Sequence, residues 1–251
     1  MDESIFIYVI IGFTAQLVDG ALGMAYGTLC TAVLLAMGIP PATVSAGVHS
    51  AQFFTAGLSG AAHTLLKNID WRLCISLALA CVCGGIIGAL FLVHMDTSVI
   101  RPWVSGYLLL LGIFIVYRSL TNDVVERKKG DTGPGLLTPL LGFFSGMLDA
   151  IGGGWGPMVT SNLIARGEPP RYAIGSVNTA EFFVKSAIAA TFFATIGLVF
   201  HKIVIGLLIG GVLAAPFGAY VLRIINPRIL IGVVGGLIIA LSLYQLSKVF
   251  L

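Results

Sequence analysis

Long apolar segments with few or no charged residues recur along the whole 251-residue chain. Only 10% of the residues are charged, 57% are hydrophobic, and the mean hydropathy is +1.01. A soluble domain carries about 25% charged residues, so this balance excludes a water-soluble core. Backbone polar groups in lipid have to be satisfied within the protein, so helices are the expected spanning element. The sequence therefore predicts an all-α, polytopic integral membrane protein of the cell (inner or plasma) membrane.

Net charge, cysteines and catalytic motifs exclude other classes. The net charge of +3 is small and does not indicate a nucleic-acid partner. Cys30, Cys74, Cys81 and Cys83 all lie in apolar segments without a C-x-x-C pair, which is typical of small buried hydrophobic residues. The chain has no Walker A, H-E-x-x-H or G-x-S-x-G motif. We therefore expect no metal, no cofactor and no enzymatic activity.

The two halves of the sequence repeat one another. "VHSAQFF" at 48–54 corresponds to "VNTAEFF" at 177–183, with four of the seven positions identical. A long polar stretch separates the halves. The predicted organisation is an N-terminal repeat at 1–120, a polar cytoplasmic linker at 121–133 and a C-terminal repeat at 134–251, which together form one transport domain.

Each half opens with an apolar stretch of about 33 residues, at 5–37 and 135–166, that is interrupted by Asp and Gly. A helix of that length measures roughly 50 Å, against a hydrocarbon core of about 30 Å. Each stretch is therefore either a strongly tilted helix or two short helices joined at the break. Three ordinary spans follow in each half, at 42–66, 73–95 and 99–118, and at 171–196, 203–222 and 229–250.

The positive-inside rule separates these two topologies, because cytoplasmic loops carry an excess of Lys and Arg. If each long stretch crosses once, the Lys and Arg in the loops and near the segment ends divide eight against five. If each stretch is re-entrant, the halves are inverted and the division is ten against three. The ten are Lys67, Arg72, Arg118, Arg127, Lys128, Lys129, Arg166, Arg171, Arg223 and Arg228, and the three are Arg101, Lys202 and Lys248. The sharper division favours two inverted repeats, with the linker in the cytoplasm and both termini outside.

The two breaks are the first candidate for a binding site. Asp19 is followed by "GALGMAYG" and Asp149 by "AIGGGWG". A half-helix that restarts after each break would direct free N–H groups and the positive end of its dipole inward, which suits an anion. Two carboxylates next to an anion would repel it unless they were protonated or faced donors. Asp19 and Asp149 therefore either take part in proton coupling or cap the neighbouring half-helices, and the sequence does not separate these alternatives.

The repeated motif is the second candidate. His49, Gln52 and Phe53 share one helix face at i, i+3 and i+4, near mid-membrane. Asn178, Glu181, Phe182 and Lys185 form the matching face in the second half. Such donors, acceptors and aromatic rings suit a small polar ligand. Glu181 and Lys185, at i and i+4, could instead neutralise each other, and the hydroxyls of Ser50 and Thr179 could bond to their own helix.

These two regions give the candidate residues. Those predicted to bind substrate are Gly23, Met24, Tyr26, His49, Ser50, Gln52, Phe53, Gly153, Gly154, Trp155, Asn178, Thr179, Phe182 and Lys185. Those predicted to couple protons or to hold the structure are Asp19, Asp149 and Glu181.

Over essentially its whole length the chain resembles the sulfite exporter TauE/SafE family. The glycine cluster at 152–154, the G-x-P-P turns at 38–41 and 167–170, and "NIDWR" at 68–72 carry the resemblance. The first break, "DGALGMAYG", departs from the family's glycine-richer pattern, so Met24 and Tyr26 would narrow one side of the site. The resemblance implies a secondary transporter of small sulfur-containing anions: sulfite, sulfoacetate or another organosulfonate, or thiosulfate.

We expect export, with proton coupling as a hypothesis. The alternative is an uptake permease for organosulfonates or other small organic anions; a membrane-embedded enzyme or a scaffold is less favoured. The expected partners are the anionic substrate, the lipid bilayer and a second copy of the chain in a homodimer.

Overall fold

The chain is entirely α-helical over the residues that the structure describes. The computed structural model describes residues 3–22, 24–121, 137–166, 168–198, 201–224 and 227–250. These ranges contain ten helices and no strand. The helices are α1 (Glu3–Leu22), α2 (Tyr26–Ala36), α3 (Pro41–Leu65), α4 (Trp71–His94), α5 (Thr97–Leu120), α6 (Leu137–Gly152), α7 (Trp155–Ala165), α8 (Pro170–Ile196), α9 (His201–Ile224) and α10 (Pro227–Phe250). The predicted fold class is confirmed. Most of the predicted linker, from residue 122 onward, lies outside the described residues.

Several helices have the length and composition of membrane spans. Four of the described helices are both long enough and apolar enough to cross a membrane: Trp71–His94, Thr97–Leu120, Arg171–Ile196 and Arg228–Lys248. About 20 apolar residues cover the hydrocarbon core, so each of these helices can cross it. Shorter apolar helices accompany them, at Ile5–Gly20, Tyr26–Ala36, Leu137–Gly152 and His201–Ala215. The prediction of a polytopic membrane protein is confirmed.

Both long opening stretches are interrupted at the Asp–Gly breaks. α1 ends at Leu22 and α2 begins at Tyr26, whereas α6 ends at Gly152 and α7 begins at Trp155. α2 and α7 contain 11 residues each. A helix of that length measures roughly 17 Å, which is too short to cross a core of about 30 Å. A single continuous, tilted helix through either stretch is therefore excluded.

The third helices of the two halves, α3 and α8, pack against each other in opposite directions. Phe53, near the middle of α3, stacks on Phe182 of α8 with ring centroids 5.3 Å apart. Gly60, later in α3, contacts Thr179, which is earlier in α8. The contacts advance along one helix while they recede along the other, so the pair is antiparallel.

The fifth helices, α5 and α10, pair in the same antiparallel manner. Ser105, early in α5, donates a hydrogen bond of 2.8 Å from its Oγ to Oε1 of Gln245, late in α10. Gly112, further along α5, lies against Gly235, earlier in α10. Small residues at such positions let membrane helices approach closely.

The first helix of each half packs on the fourth helix of the other half. Tyr8 of α1 contacts Gly206 of α9, and Phe13 contacts Gly210, so these two helices run parallel. The glycines bring the backbones together, because a Cβ at Gly210 would overlap the backbone of α1.

α6 and α4 repeat this arrangement. Gly142 of α6 lies against Leu77 of α4, and Met147 lies against Gly88, so this pair is also parallel. Among the matching helices of the two halves, the α3–α8 and α5–α10 pairs run in opposite directions. Two repeats of opposite orientation require such an arrangement.

Candidate functional site

The two breaks contact each other in the interior of the helix bundle. Thr28 Oγ1 donates a hydrogen bond of 2.5 Å to the carbonyl oxygen of Gly153. The backbones of Gly27 and Gly153 touch, since a Cβ at Gly27 would lie 3.1 Å from the Cα of Gly153. Gly153 has a φ of 76°, a conformation that residues with a Cβ rarely adopt. Glycine at 153 is thus needed both for its dihedral angle and for the space it leaves.

The two aspartates cap the half-helices that follow the breaks. Asp19 Oδ1 accepts a hydrogen bond of 3.2 Å from the N–H of Tyr26, and Asp149 Oδ1 accepts one of 3.0 Å from the N–H of Trp155. A carboxylate at this position satisfies a donor that lacks an intrahelical partner, and it interacts favourably with the helix dipole. The first N–H of α2 and of α7 is therefore bonded to the chain's own carboxylate rather than left for an external anion.

Asp149 is also the centre of a buried ion network. Its Oδ2 accepts a hydrogen bond of 2.6 Å from Lys185 Nζ and lies 3.3 Å from His49 Nε2. Glu181 Oε1 lies 3.5 Å from the same Lys185 Nζ. Asp149, Lys185 and His49 are all buried. Charges so far from water require partners, and this network provides them. Lys185 does face Glu181, but its shorter contact is to Asp149.

Both ring nitrogens of His49 face oxygen atoms. Nε2 faces the Asp149 carboxylate, and Nδ1 lies 2.7 Å from the carbonyl oxygen of Ser45. The Ser45 hydroxyl, 3.1 Å from Nδ1, donates its own hydrogen to the carbonyl of Ala150. A carbonyl and an ionised carboxylate only accept hydrogen bonds, so a doubly protonated ring would donate to both. His49 thus links α3 to α6 through its contact with the Asp149 carboxylate.

A polar cavity of about 290 Å³ lies between α1, α3 and α8. Two carboxylates line it, those of Asp19 and Glu181. Its neutral polar lining residues are Gln16, Tyr26, Gln52, Thr55, Ser59, His63 and Asn178. No Lys or Arg is among the described residues that line it. A cavity of this size and polarity suits a small molecule held mainly by hydrogen bonds.

The cavity extends toward the end of the bundle where α3 ends and α8 begins. His63 lies near the C-terminal end of α3, and Asn178 Nδ2 is 3.3 Å from both His63 Nε2 and Ser59 Oγ. Asn178 therefore bridges the two helices in the outer part of the cavity. At the inner end Gln52 lies against the first break, because a Cβ at Gly27 would be 3.1 Å from its Oε1.

Part of the predicted site is brought together here. Five of the predicted residues line the cavity: Asp19, Tyr26, Gln52, Asn178 and Glu181. His49, Asp149 and Lys185 lie directly behind it, in the buried ion network. Glu181 belongs to both groups, since it lines the cavity and contacts Lys185.

Other predicted residues of the motif helices lie elsewhere. Ser50 and Phe53 line a separate, apolar cavity of about 440 Å³ between α3, α8 and α9. Phe182 stacks on Phe53. The Thr179 hydroxyl donates a hydrogen bond of 2.8 Å to the carbonyl of Gly175, one turn earlier in its own helix. In this structure these four side chains contribute to helix packing.

The remaining predicted residues belong to the breaks. Gly153, Gly154 and Trp155 are buried where the second break meets the first. Met24 lies between α1 and α2, and Gly23 lies outside the described residues.

Sequence reasoning missed four polar residues of the cavity: Gln16, Thr55, Ser59 and His63. Helical spacing could have found three of them. Thr55, Ser59 and His63 follow Gln52 by three, seven and eleven positions and therefore share its helix face. Gln16 precedes Asp19 by three positions and so shares its helix face.

Helices that can cross a membrane, two interrupted segments in contact and a polar cavity beside them define a polytopic membrane transport protein. The chain belongs to the sulfite exporter TauE/SafE family, whose model matches residues 8–245. It is similar to the probable membrane transporter protein YtnM of Bacillus subtilis (strain 168), with 37% identity over 246 residues that cover 96% of this chain and 82% of that protein. No solved structure matches the chain. The protein is accordingly a membrane transporter and not an enzyme.

Proposed function

We propose that this transporter moves a small sulfur-containing anion through the cavity between α1, α3 and α8. Sulfite, sulfoacetate or another organosulfonate, and thiosulfate are the proposed substrates, in keeping with the family. The observation that carries the proposal is the polar cavity of about 290 Å³ beside the junction of two broken helices. Secondary transporters built from inverted repeats bind their substrates at such junctions.

The two repeats, 1–120 and 134–251, are the units that move against each other in this proposal. Alternating access then consists of a rocking of one repeat against the other about the junction of the breaks. The linker at 121–133 lies in the cytoplasm and both termini lie outside. A homodimer stays a prediction.

The favoured direction is export. Lys67, Arg72 and Arg171 lie at the end of the bundle toward which the cavity extends, and the positive-inside rule assigns that end to the cytoplasm. The described state then receives substrate from the cytoplasm, as an exporter does at the start of its cycle. An uptake permease would release substrate from the same state. Uptake of ³⁵S-sulfite into inside-out and right-side-out vesicles distinguishes these directions.

Replacing Asn178 or Gln52 with alanine is expected to weaken binding of sulfite or sulfoacetate about tenfold each, because each change removes a hydrogen-bonding group from the cavity wall. The measurement is the ligand-induced rise in melting temperature of the purified transporter, titrated to give a Kd.

The matched control is Asn162→Ala. Asn162 lies on α7, where its Nδ2 donates to the carbonyl of Met158 in its own helix. This variant is expected to bind as the wild type does. An unchanged Kd in both cavity variants would move the substrate site elsewhere.

We propose proton coupling because two carboxylates line the cavity. An anion that carries no cationic group of its own is repelled by Asp19 and Glu181 unless protons neutralise them, so protons are expected to accompany such a substrate. In proteoliposomes with an imposed pH gradient, transport is expected to depend on the direction of the gradient, and Glu181→Gln is expected to reduce that dependence. Transport that ignores the pH gradient in the wild type would contradict the coupling.

A further inference from the structure

The two halves differ at one position that faces their aspartates. In the repeat alignment Asp19 corresponds to Asp149, and "VHSAQFFTA" at 48–56 corresponds to "VNTAEFFVK" at 177–185. Lys185 of the second half therefore corresponds to Ala56 of the first. A lysine and an alanine at matching positions leave very different spaces beside the two carboxylates.

In the second half that space is filled by an ammonium group. Lys185 Nζ lies 2.6 Å from Asp149 Oδ2 and 3.5 Å from Glu181 Oε1. The two oxygen-bearing side chains that correspond to Asp149 and Glu181 in the first half are Asp19 and Gln52. In the second half, the side chains at these two positions thus surround an ammonium group.

In the first half the matching space is part of the polar cavity. Ala56 lines this cavity together with Asp19 and Gln52. No salt bridge to Asp19 occurs among the described residues. Gln52, which lines the cavity beside Asp19, is a neutral amide and supplies no positive charge. A carboxylate without a salt-bridge partner gains from a ligand cation placed beside it.

We propose that the cavity binds an ammonium group of its ligand between Asp19 and Gln52, at the place that corresponds to the Lys185 ammonium in the second half. The proposal rests on the proposed function, because it names the class of sulfur compound that occupies the same cavity. That class is a small sulfur acid that also carries a primary ammonium group, such as an aminoalkanesulfonate.

The charges of the site agree with such a zwitterion. Asp19, Asp149 and Glu181 supply three carboxylates, whereas the chain's own cation beside them is Lys185, with His49 as a second when it is doubly protonated. An ammonium on the ligand adds the positive charge that the cavity wall lacks, which favours its binding beside a carboxylate.

The acid group of the ligand then lies toward the outer part of the cavity. Asn178, Ser59 and His63 offer hydrogen-bonding groups there.

The test compares two ligands of nearly equal size, 2-aminoethanesulfonate (taurine) and 2-hydroxyethanesulfonate (isethionate), by thermal-shift titration of the purified transporter. The wild type is expected to bind the amino compound about tenfold or more tightly, because only this ligand forms a charge-assisted hydrogen bond to Asp19. Asp19→Asn keeps an oxygen for the N–H of Tyr26 but removes the charge, so it is expected to bind both compounds equally. Equal binding of the two compounds by the wild type would overturn the ammonium site.

A second variant tests the same site independently of Asp19. Ala56→Lys places in the first half the residue that the second half already has. It is expected to raise the melting temperature without ligand and to abolish the shift caused by 2-aminoethanesulfonate. An unchanged shift in this variant would contradict the site.

Two further measurements complete the test. One asks whether a cation from solution can replace the ligand ammonium, and the other asks whether the protein binds any sulfonate. If Na⁺ added to 2-hydroxyethanesulfonate produces the same gain as the amino group, the cation comes from solution and the proposal is wrong. If neither sulfonate nor sulfite binds or is transported, the proposed function fails as a whole, which differs from the case in which sulfonates bind without regard to the amino group.

Discussion

Lys185→Met is expected to lower the free energy of unfolding by about 3–5 kcal/mol, because it removes one partner of a buried ion pair and leaves the other partner charged. Asp149, which is fully buried, would then keep the contact with His49 as its remaining side-chain partner among the described residues. Methionine is chosen because it fills a volume close to that of the lysine stem, so the loss reports on the charge rather than on a cavity. The measurement is the melting temperature in detergent, with an expected fall on the order of 10 °C.

Two variants show whether the ion pair is the cause. Asp149→Asn in the Lys185→Met background removes the unpaired charge but keeps an oxygen for the N–H of Trp155, so it is expected to restore part of the lost stability. Lys248→Met removes an exposed lysine that lies 4.6 Å from the ring of Tyr244 and is expected to change little. A Lys185→Met variant that melts as the wild type does would show that Asp149 does not depend on this partner.

Gly153→Ala is expected to cost about 2–5 kcal/mol and to abolish transport, because two penalties coincide at this residue. The residue has a φ of 76°, and a Cβ there would overlap the carbonyl carbon of Gly27. Because that atom belongs to the backbone, it cannot move aside as a flexible side chain would. The added methyl group would therefore separate the two breaks. Melting temperature and substrate flux in proteoliposomes measure the two effects.

Gly197→Ala is the matched control. Gly197 has a similar φ of 70°, but no atom lies within 4 Å of the position that its Cβ would take. Its ψ of −159° puts Gly197 in a conformation that is essentially restricted to glycine, so this variant is expected to carry backbone strain alone, about 1–3 kcal/mol, and to retain transport. The difference between the two variants isolates the contact between the breaks. If both variants lose equal stability and both still transport, that contact has no special role.

The broken helices could be predicted because each break depends only on residues within its own segment. Asp, Gly and the length of the stretch all act within one segment, and α1–α2 and α6–α7 follow from them. The capping role of Asp19 and Asp149 was one of two open alternatives, and the hydrogen bonds to Tyr26 and Trp155 are observed.

The composition of the cavity could be predicted only in part. Helical spacing shows which residues share a helix face, but not which other helix or cavity that face contacts. Asn178 and Gln52 were found through the repeated motif, whereas His63 lies beyond that motif and was missed. Phe53 shares a face with Gln52 in sequence, yet it turns toward Phe182 and the apolar cavity. That outcome depends on the packing of α8 and α9 against α3, and no local pattern contains it.

The first helix of each half packs on the fourth helix of the other half, and this sets the order in which the contacts of the protein can form. The hydroxyl of Tyr26, at the start of α2, donates to the carbonyl of Leu207 on α9, a residue 181 positions further along the chain. α6, in contrast, packs on α4, which has already been synthesised when α6 emerges. During translation, α1 and α2 enter the membrane long before α9 exists. The N-terminal broken segment is thus synthesised long before α9, and its contact with α9 forms only after most of the described chain has been made.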